Sequence, residues 1–397
     1  MSANGSPRRP SRSPARAVAR ALRPASFGAP PEGARMDRIR RSPQFRDGAF
    51  RNEGPTSVGP NGSGPALFRE LLFGPGRRRR RPASAPPPHT APPQGPPAGG
   101  LRLTWLGHAT VLAEIDGHRV LFDPVWGERC SPFRFAGPRR VHPVPLPLDA
   151  LGPLDAVVIS HDHYDHLDLP TIRALAGSEA VFAVPLGVGA HLEHWGIPET
   201  RIRELDWHES VRVRELTLTA TPSRHFCGRG LIRRSLTLWA SWAVAGPGHR
   251  IFHSGDTGYF PGFAAIGAEH GPFDATMMQI GAYSDYWPDI HMTPEEGLRA
   301  HQDLTGGVLL PIHWGTFNLA LHPWDEPAER TADAAAAASV PVALPRPGEP
   351  FEPSGRLPTA RWWRPYARPP GHRAAVAGKE QPEAAAPAPS PTSAERR

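Results

Sequence analysis

A chain of 397 residues is long enough for one large domain with extensions at its ends. Its formal net charge of +7 is unevenly distributed, because residues 1–100 carry 18 arginines against 5 acidic residues and the remainder is net −6. A net acidic main domain argues against nucleic acid as a partner. The two cysteines, Cys130 and Cys227, make no disulfide framework, and no apolar run reaches the length of a membrane span.

The N-terminal hundred residues divide into two parts by composition. Residues 1–43, rich in Arg, Pro and Ser, are predicted to be a disordered leader, and residues 44–100 a partly ordered extension with a basic, proline-rich linker. No apolar secretory signal is present, which favours a cytoplasmic protein. The acid-free stretch Met1–Arg23 also suits a mitochondrial presequence, but 44 arginines against one lysine are typical of a GC-rich bacterial genome. Met36 is an alternative start of translation.

The extension contains an apolar run beside a basic cluster. Leu67–Phe73 is followed by five consecutive arginines, Arg77–Arg81. Apolar side chains next to a polybasic cluster are typical of a peripheral membrane contact, which would place the protein on the inner face of a membrane. A short helix docked on the domain and followed by a solvated charge run explains the same pattern, and both interpretations stay open.

A main domain over residues 101–350 is predicted from its alternation of strands and helices. It opens with a meander whose Asp116-Gly117 pair marks a hairpin turn. The predicted elements are strands at Leu101–Leu106, Val111–Ile115, Arg119–Phe122, Ala180–Val184 and Ser235–Val244, and helices after Pro170, near Val188–Trp195 and over Pro294–Asp303. This alternation indicates an α/β fold. Residues 351–397 are interpreted as a C-terminal extension and disordered tail.

The stretch His161-Asp162-His163-Tyr164-Asp165-His166 follows a predicted buried strand, Ala156–Ser160. Imidazole and carboxylate are ligands for divalent metals such as zinc. On a tight turn, His161 and His163 can face one point while Asp165 and His166 face another nearby. The spacing therefore suits two metals that share a bridging hydroxide.

Three further candidate ligands follow predicted strands elsewhere in the chain. His225 comes after Leu216–Pro222, Asp256 after Arg250–Ser254, and His313 after Gly307–Ile312. α/β proteins build their sites at such strand ends. Each residue alone is a weak signal, but four strand ends that complete one ligand set predict a metal centre.

Several blocks together resemble the metallo-β-lactamase superfamily, and within it the N-acyl-phosphatidylethanolamine-hydrolysing phospholipases D and their bacterial relatives. The matching blocks include residues 104–110 (TWLGHAT), 123–126 (DPVW), 160–168 (SHDHYDHLD), 255–259 (GDTGY) and 312–317 (IHWGTF). The likeness runs from about Leu101 to Pro327, and a weaker echo covers Phe45–Asn52. The resemblance implies a four-layer αββα sandwich.

The resemblance also implies a ligand set. His161, His163 and His225 would hold one metal, Asp165, His166 and His313 would hold the second, and Asp256 would bridge the two. The cofactor implied is a pair of divalent metal ions, with zinc expected, although manganese or iron can use similar ligands. Asp165 could also orient the nucleophile. His291 is the candidate proton donor, with a solvent-exposed residue at the start of a helix as the alternative.

The activity implied by the resemblance is a phospholipase D-type phosphodiesterase. A metal-bridging hydroxide would attack N-acyl-phosphatidylethanolamine-like phospholipids, so a phospholipid or small phosphodiester is the expected substrate. The alternatives are a lactonase acting on a phosphorylated sugar lactone, and a membrane- or nucleic-acid-binding protein with structural metals. Four aromatic residues near the site either line an apolar groove or pack in the core, namely Phe226, Tyr283, Tyr286 and Trp287.

Overall fold

The computed structural model describes residues 24–59, 64–74, 77–230 and 235–368. The predictions for Met1–Arg23 and for the tail beyond residue 368 lie outside these ranges. Among the described residues, no helix combines the length and the apolar character needed to span a bilayer.

Two large β-sheets dominate the described chain, and a small β-hairpin precedes them. The strands are β1 (Phe45–Arg46), β2 (Ala49–Phe50), β3 (Leu101–Gly107), β4 (Thr110–Ile115), β5 (His118–Phe122), β6 (Ala156–Val158), β7 (Val181–Pro185), β8 (Ile202–Leu205), β9 (Ser210–Val213), β10 (Leu216–Thr221), β11 (Ser241–Ala245), β12 (Arg250–His253), β13 (Phe273–Gln279), β14 (Gly306–Ile312) and β15 (Pro350–Phe351). One sheet has the order β15-β3-β4-β5-β6-β7-β8 and the other the order β14-β13-β12-β11-β10-β9.

Helices cover the outer faces of both sheets. The α-helices are α1 (Gly33–Arg41), α2 (Gly64–Phe73), α3 (Leu169–Leu175), α4 (Gly189–His194), α5 (Gly262–His270), α6 (Pro294–Asp303) and α7 (Glu326–Ala338), and short 3-10 turns lie at Ala25–Phe27, Arg77–Arg80, Leu148–Leu151, Glu199–Arg201 and Arg364–Tyr366. The predicted start of α6 is well defined, because Thr293 and Glu296 form a capping box and Pro294 occupies the first turn.

The hydrophobic core has three layers. The inner faces of the two sheets meet in the largest cluster, to which β3 contributes Leu103 and Trp105 and β11 contributes Trp242. Successive side chains of a strand point to opposite faces, so Leu106 of β3 enters a separate cluster under α3 and α4. A third cluster lies under α5, α6 and α7. The predicted four-layer αββα sandwich is therefore confirmed.

The structure corrects the prediction of disorder before residue 44. Residues 33–41 form α1, and its Ile39 is fully buried in the cluster between the sheets. Arg35 of this helix binds the carboxylates of Glu193 and Glu204 at 2.7 and 2.5 Å. An arginine-rich composition misled the prediction, because most of the charges of the helix lie on its outer face while Ile39 and the partly buried Met36 pack against the core.

A second correction concerns the strand predicted at Ser235–Val244. The strand begins only at Ser241. The preceding residues bond to three separate segments, since Ser235 donates to the Cys227 carbonyl, Leu238 to Leu186 and Ala240 to Ser160. The apolar composition correctly predicted that most of these residues are buried, but residues 235–240 form an irregular segment and not a strand.

The fold continues beyond residue 350, where the main domain was predicted to end. β15 pairs with β3 through Pro350 and Phe351. Trp362 and Trp363 then pack against Trp314 with ring centroids 5.6 and 5.3 Å apart. The described part of the predicted C-terminal extension is thus a component of the core.

Candidate metal centre

The predicted ligands converge at one edge of the sandwich because the strands that precede them share a direction. β5 and β6 are parallel in one sheet, and β12, β13 and β14 are parallel in the other. His161 follows β6, Asp256 follows β12 and His313 follows β14. The carboxyl ends of strands in the two sheets therefore face each other across the site, as expected for an α/β site.

Three histidines form the first group of predicted ligands. The Nδ1 atom of His163 lies 2.8 Å from His161 Nε2 and 3.3 Å from His225 Nε2. His161 and His225 are fully buried, and His163 lies at the surface of the site. Three ring nitrogens that meet at one point cannot all donate protons to one another, but they can all bind one cation.

The second group is assembled around a carboxylate oxygen of Asp165. Its Oδ2 atom lies 3.2 Å from His313 Nε2 and 3.4 Å from His166 Nε2. His108 Nε2 also approaches this oxygen, at 2.9 Å. These four side chains form one cluster that could hold a metal ion.

Asp256 lies between the two groups. Its Oδ2 atom is 3.2 Å from His166 Nε2 and 3.9 and 3.8 Å from the Nε2 atoms of His161 and His225, and its Oδ1 atom is 3.1 Å from His313 Nε2. One carboxylate thus reaches histidines of both groups. This is the geometry expected of a ligand that bridges two cations.

The charges of the site suit cations. Burial disfavours ionisation of Asp256, but His166 and His313 hold the pKa of its carboxyl well below the usual range. The same balance lowers the pKa of Asp165. Burial also opposes protonation of His166 and His313, yet the neighbouring carboxylates raise both pKa values. Two buried carboxylates that attract protons onto adjacent imidazoles provide the field that would favour a metal in place of those protons.

Hydrogen bonds orient the predicted ligands from behind. His166 Nδ1 lies 2.7 Å from Asp123 Oδ2, and Asp123 in turn accepts from both the backbone and the hydroxyl of Ser160. His225 Nδ1 lies 3.1 Å from the Ile290 carbonyl oxygen. Each contact fixes the ring so that its Nε2 atom faces the site. The Nε2 atom of His166 has no hydrogen-bond partner among the described residues, which fits a ligand atom reserved for a cation.

Two histidines at this edge of the sandwich have strained backbone conformations. His108 and His313 adopt positive φ angles of 54° and 65° although neither is glycine. Gly255, next to Asp256, also has a positive φ of 54°, and a Cβ there would lie 2.5 Å from the Ser160 Cβ. Glycine at position 255 thus permits the close approach of the Asp256 turn to Ser160.

His291 reaches the site from the loop before α6. Its Nδ1 atom lies 4.0 Å from Asp256 Oδ2 and has no hydrogen-bond partner in the described structure. Burial, together with His313, outweighs the attraction of Asp256 and lowers the pKa of His291 to about 4, so the ring is neutral at pH 7. The side chain is 12% exposed, which excludes the alternative of a fully solvent-exposed residue.

A pocket of about 230 Å³ opens above the predicted ligands. Phe226 and Trp287 line it together with Ile290 and Leu319. Tyr283, in contrast, is half-buried and donates to Glu326 at 2.6 Å, outside this lining. Of the four aromatic residues near the site, two therefore line the predicted groove.

Two residues that lie close in sequence to predicted ligands face away from the site. Asp162 is buried and accepts hydrogen bonds from the Gly228 backbone and the Thr237 hydroxyl, so it braces the loop rather than joining the ligands. Cys227 is fully buried with its thiol 3.4 Å from the Leu238 carbonyl oxygen, as expected for a small core residue. Neither cysteine forms a disulfide.

Sequence reasoning did not identify the supporting role of Asp123 or any role for Asn52. Asp123 follows β5 at the same edge of the sandwich, and its position at a strand end was a usable signal. Asn52 carried no local signal, because its contact with His225 joins residues 173 positions apart.

Comparison with known proteins agrees with the fold. Residues 118–314 match the family described as the β-lactamase superfamily domain. An uncharacterized protein of Mycobacterium tuberculosis (strain ATCC 25618 / H37Rv) is 51% identical over 356 residues, which cover 86% of this chain and 92% of that protein. A possible metal-dependent hydrolase from Veillonella parvula DSM 2008 superposes with a TM-score of 0.52 at 19% identity, covering 63% of this chain and 98% of that one.

The name of another relative states an activity. The N-acyl-phosphatidylethanolamine-hydrolyzing phospholipase D 1 of Caenorhabditis elegans is 38% identical over 230 residues, which cover 55% of this chain and 65% of the worm protein. The chain belongs to the metallo-β-lactamase superfamily and is a metal-dependent hydrolase of that fold.

Proposed function

We propose that this protein is a two-metal phosphodiesterase of the phospholipase D type that acts on N-acyl-phosphatidylethanolamine-like phospholipids. The observation that carries the proposal is the pair of ligand groups joined by Asp256 at the floor of an apolar pocket. His161, His163 and His225 would hold one ion, Asp165, His166 and His313 the other, and zinc is the ion we expect.

The donor set supports a catalytic site rather than a purely structural one. Structural zinc sites are closed and tetrahedral, whereas these side chains form two groups beside an open pocket. Two bound cations would supply a hydroxide at neutral pH and stabilise the negative charge that develops on the phosphoryl oxygens. Asp165 would orient the nucleophile through the oxygen that already faces His166 and His313.

The proton for the departing alcohol would come from His291. Its ring borders the pocket, and its Nδ1 atom lies 4.0 Å from Asp256 Oδ2 without a hydrogen-bond partner among the described residues. Because the ring is neutral at pH 7, it would first accept the proton that the attacking water loses and then, as an imidazolium, pass that proton to the leaving oxygen. The ring centroids of His291 and His225 are 5.1 Å apart, which places this donor beside the first ligand group.

The substrate class is supported by the lining of the pocket and by relatives. Phe226, Trp287 and Leu319 give the pocket an apolar wall above the polar floor, which suits a lipid with a charged phosphodiester. The activity named for the worm relative is also that of a phospholipase D, and that protein aligns with this chain over 230 residues.

A combined measurement of metal content and hydrolysis tests the proposal. Protein purified without chelator would be assayed with bis(p-nitrophenyl) phosphate, an N-acyl-phosphatidylethanolamine and a panel of lactones. Two metals per chain with cleavage of both diesters are the expected result. Lactone opening without diester cleavage would contradict the phospholipase assignment and favour a lactonase, and a chain that binds no metal would contradict the metal centre itself.

Substitution of the bridging carboxylate gives a sharper test. We expect Asp256→Ala to lower kcat for bis(p-nitrophenyl) phosphate by at least about 100-fold, because the cations lose their shared ligand and the charge stabilisation they provide. Metal per chain, measured by atomic emission, should fall with it. The matched control is His194→Ala, which removes an exposed imidazole at the end of α4. Equal turnover in the two variants would contradict the assignment.

We also propose that α2 and the basic turn after it contact a lipid surface. Phe68 and Phe73 are 61% and 78% exposed, and Arg77 and Arg78 are exposed beyond them. Leu67 of the same helix borders the pocket, so a lipid held at this surface would lie near its opening. Apolar and basic groups together are the combination that binds anionic bilayers.

Vesicle sedimentation tests this contact. Wild-type protein should sediment with vesicles that contain phosphatidylglycerol more than with pure phosphatidylcholine, and the difference should shrink at high salt. The variant Phe68→Ser/Phe73→Ser should sediment less with both. Sedimentation that does not depend on these substitutions would contradict the proposed contact.

A further inference from the structure

The N-terminal extension reaches the predicted ligands through the side chain of Asn52. Its Oδ1 atom accepts from the His225 backbone N–H at 3.1 Å, and its Nδ2 donates to the His225 carbonyl at 2.9 Å. The same Oδ1 atom accepts from the Trp239 indole at 3.1 Å. One amide therefore satisfies both backbone groups of a predicted metal ligand, as a neighbouring strand would.

The next residues are fastened to the loops that carry His225 and His291. Arg224 donates to the Pro55 carbonyl at 2.7 Å and forms an ion pair with Asp289 at 3.1 Å. Asp289 accepts from the Ser57 backbone N–H at 2.8 Å. Residues 52–59, called the strap below, are thus held to the rim of the site by side chains on both sides.

The end of the strap forms part of the pocket wall. Val58 and Gly59 line the pocket together with His163, Asp165 and His291. Val58 is 40% exposed, so its apolar side chain contributes little to the core and lies at the opening. A segment that served only to stabilise the fold would have its anchors in the core, as Ile39 and Phe50 do. The strap has a second set of contacts, and these face the site.

Residues 118–314 match the β-lactamase superfamily domain, and the strap lies outside this part of the chain. The shared domain supplies the seven predicted ligands, and the extension adds a wall to the pocket above them. Part of the pocket wall therefore comes from outside the matched domain, whereas the predicted ligands at its floor all lie within that domain.

We propose that the strap determines which substrates enter the site, with Val58 limiting the size of the apolar group admitted and Asn52 acting as a positioning residue for His225. This inference rests on the proposed function for its substrate class. Replacing Val58 changes the volume of the opening without touching a predicted ligand. Replacing Asn52 frees the backbone of His225 and changes the direction of its ring.

The Val58 arm compares a small and a bulky diester. We measure kcat/KM for bis(p-nitrophenyl) phosphate and for an N-acyl-phosphatidylethanolamine in detergent micelles. Val58→Trp should lower the ratio of bulky to small substrate about tenfold and Val58→Ala should raise it, because changes of a few methylenes in a pocket discriminate on this scale. Phe135→Trp is the control, since Phe135 is 82% exposed and does not line this pocket. An unchanged ratio in both Val58 variants would overturn the size role.

The Asn52 arm has a readout that does not depend on turnover. Apoprotein is titrated with Co²⁺ and the absorption of the bound ion is followed. Asn52→Ala should lower the Co²⁺ affinity of the first group of predicted ligands about tenfold or more. Asn52→Asp keeps the acceptor and loses the donor, so its Co²⁺ affinity should lie between that of Asn52→Ala and that of the wild type. Gln94→Ala removes an exposed amide as the control. Equal affinity in Asn52→Ala and Gln94→Ala would overturn the positioning role.

The two arms separate this inference from the proposed function. If the wild-type protein cleaves neither diester, the phosphodiesterase assignment fails, and the Co²⁺ titration still decides whether the strap positions His225. If Asn52→Ala does not fold, as judged by its circular dichroism melt, the Val58 variants still decide whether the strap sets substrate size.

Discussion

His108 connects two predicted ligands that come from different sheets. Its Nε2 atom lies 2.9 Å from Asp165 Oδ2, and its backbone carbonyl accepts from the His313 N–H at 2.8 Å. The backbone N–H of His108 donates to the Thr316 hydroxyl at 2.7 Å. The residue is fully buried and has a positive φ, so this strained conformation is maintained by bonds on three sides.

We therefore expect His108→Ala to lower the metal affinity of the second group of predicted ligands more than that of the first group. Without the imidazole, Asp165 loses a partner that fixes its Oδ2 atom, and second-layer contacts of this kind are worth about 10–100-fold in metal affinity. Competition with a chromophoric chelator measures the two binding steps separately. Unchanged metal affinity in both steps would contradict this role. The control His194→Ala is expected to leave both affinities unchanged.

At the scale of elements, the C-terminal segment is attached to α7 by one carboxylate. Glu329 accepts from the Arg364 guanidinium at 2.8 Å, from the Trp363 indole at 2.8 Å, and from Arg361. Hydrogen bonds from Arg364, with those from Arg361 and Trp363, outweigh the effect of burial and lower the pKa of Glu329 to about 2. The contact places Trp362 and Trp363 against Trp314 in the core.

This depressed pKa predicts how stability depends on pH. The stabilisation is present above the unfolded-state value near 4.5 and is lost as pH falls toward 2, because only the unfolded chain binds the proton in that window. We expect Glu329→Gln to be less stable than wild type by no more than about 1 kcal/mol near pH 6, since the ion pairs are screened by solvent, and to converge with it below about pH 3.

Urea unfolding of metal-free protein at several pH values measures this difference. Metal-free protein is required because acid would also protonate the predicted ligands. Glu199→Gln, at an exposed turn, is the control. A Glu329→Gln variant whose stability runs parallel to that of the wild type down to pH 2.5 would contradict the proposed attachment.

At the scale of the whole molecule, the predicted ligands link the two sheets. His161, His163, Asp165 and His166 follow a strand of one sheet, and His225, Asp256 and His313 follow strands of the other. A metal held by both sets would bind the folded chain in preference to the unfolded one and would therefore stabilise the sandwich. At a metal concentration 100-fold above Kd the stabilisation is about 2.7 kcal/mol.

We expect removal of metal by EDTA to lower the melting temperature by about 5 °C or more, and added Zn²⁺ to restore it. Differential scanning calorimetry measures both steps. The Asp256→Ala variant should respond less than the wild type, because its ligand groups are no longer joined. A wild-type melting temperature that EDTA leaves unchanged would argue against a metal that links the sheets.

The fold was predictable where the sequence pattern is regular. The strands β3, β4 and β5 and the helix α6 lie close to their predicted bounds, because alternation and capping are local signals. Prediction was wrong for α1, whose arginines concealed one buried isoleucine, and for residues 235–240, whose burial does not come from a strand. The solvent exposure and conformation of these segments depend on the residues that pack against them in the fold, and the composition of a segment does not reveal those residues.

The sequence by itself determined the candidate ligands, because four of them lie within six residues and the others follow recognisable strands. Their binding of metal stays a prediction, although the structure brings all seven together. Only the tertiary structure decided the contacts of Asn52, His108 and Asp123 and the wall formed by the strap. These contacts join residues that are distant in the chain, and a hydrogen bond between distant residues leaves no periodic pattern in the sequence.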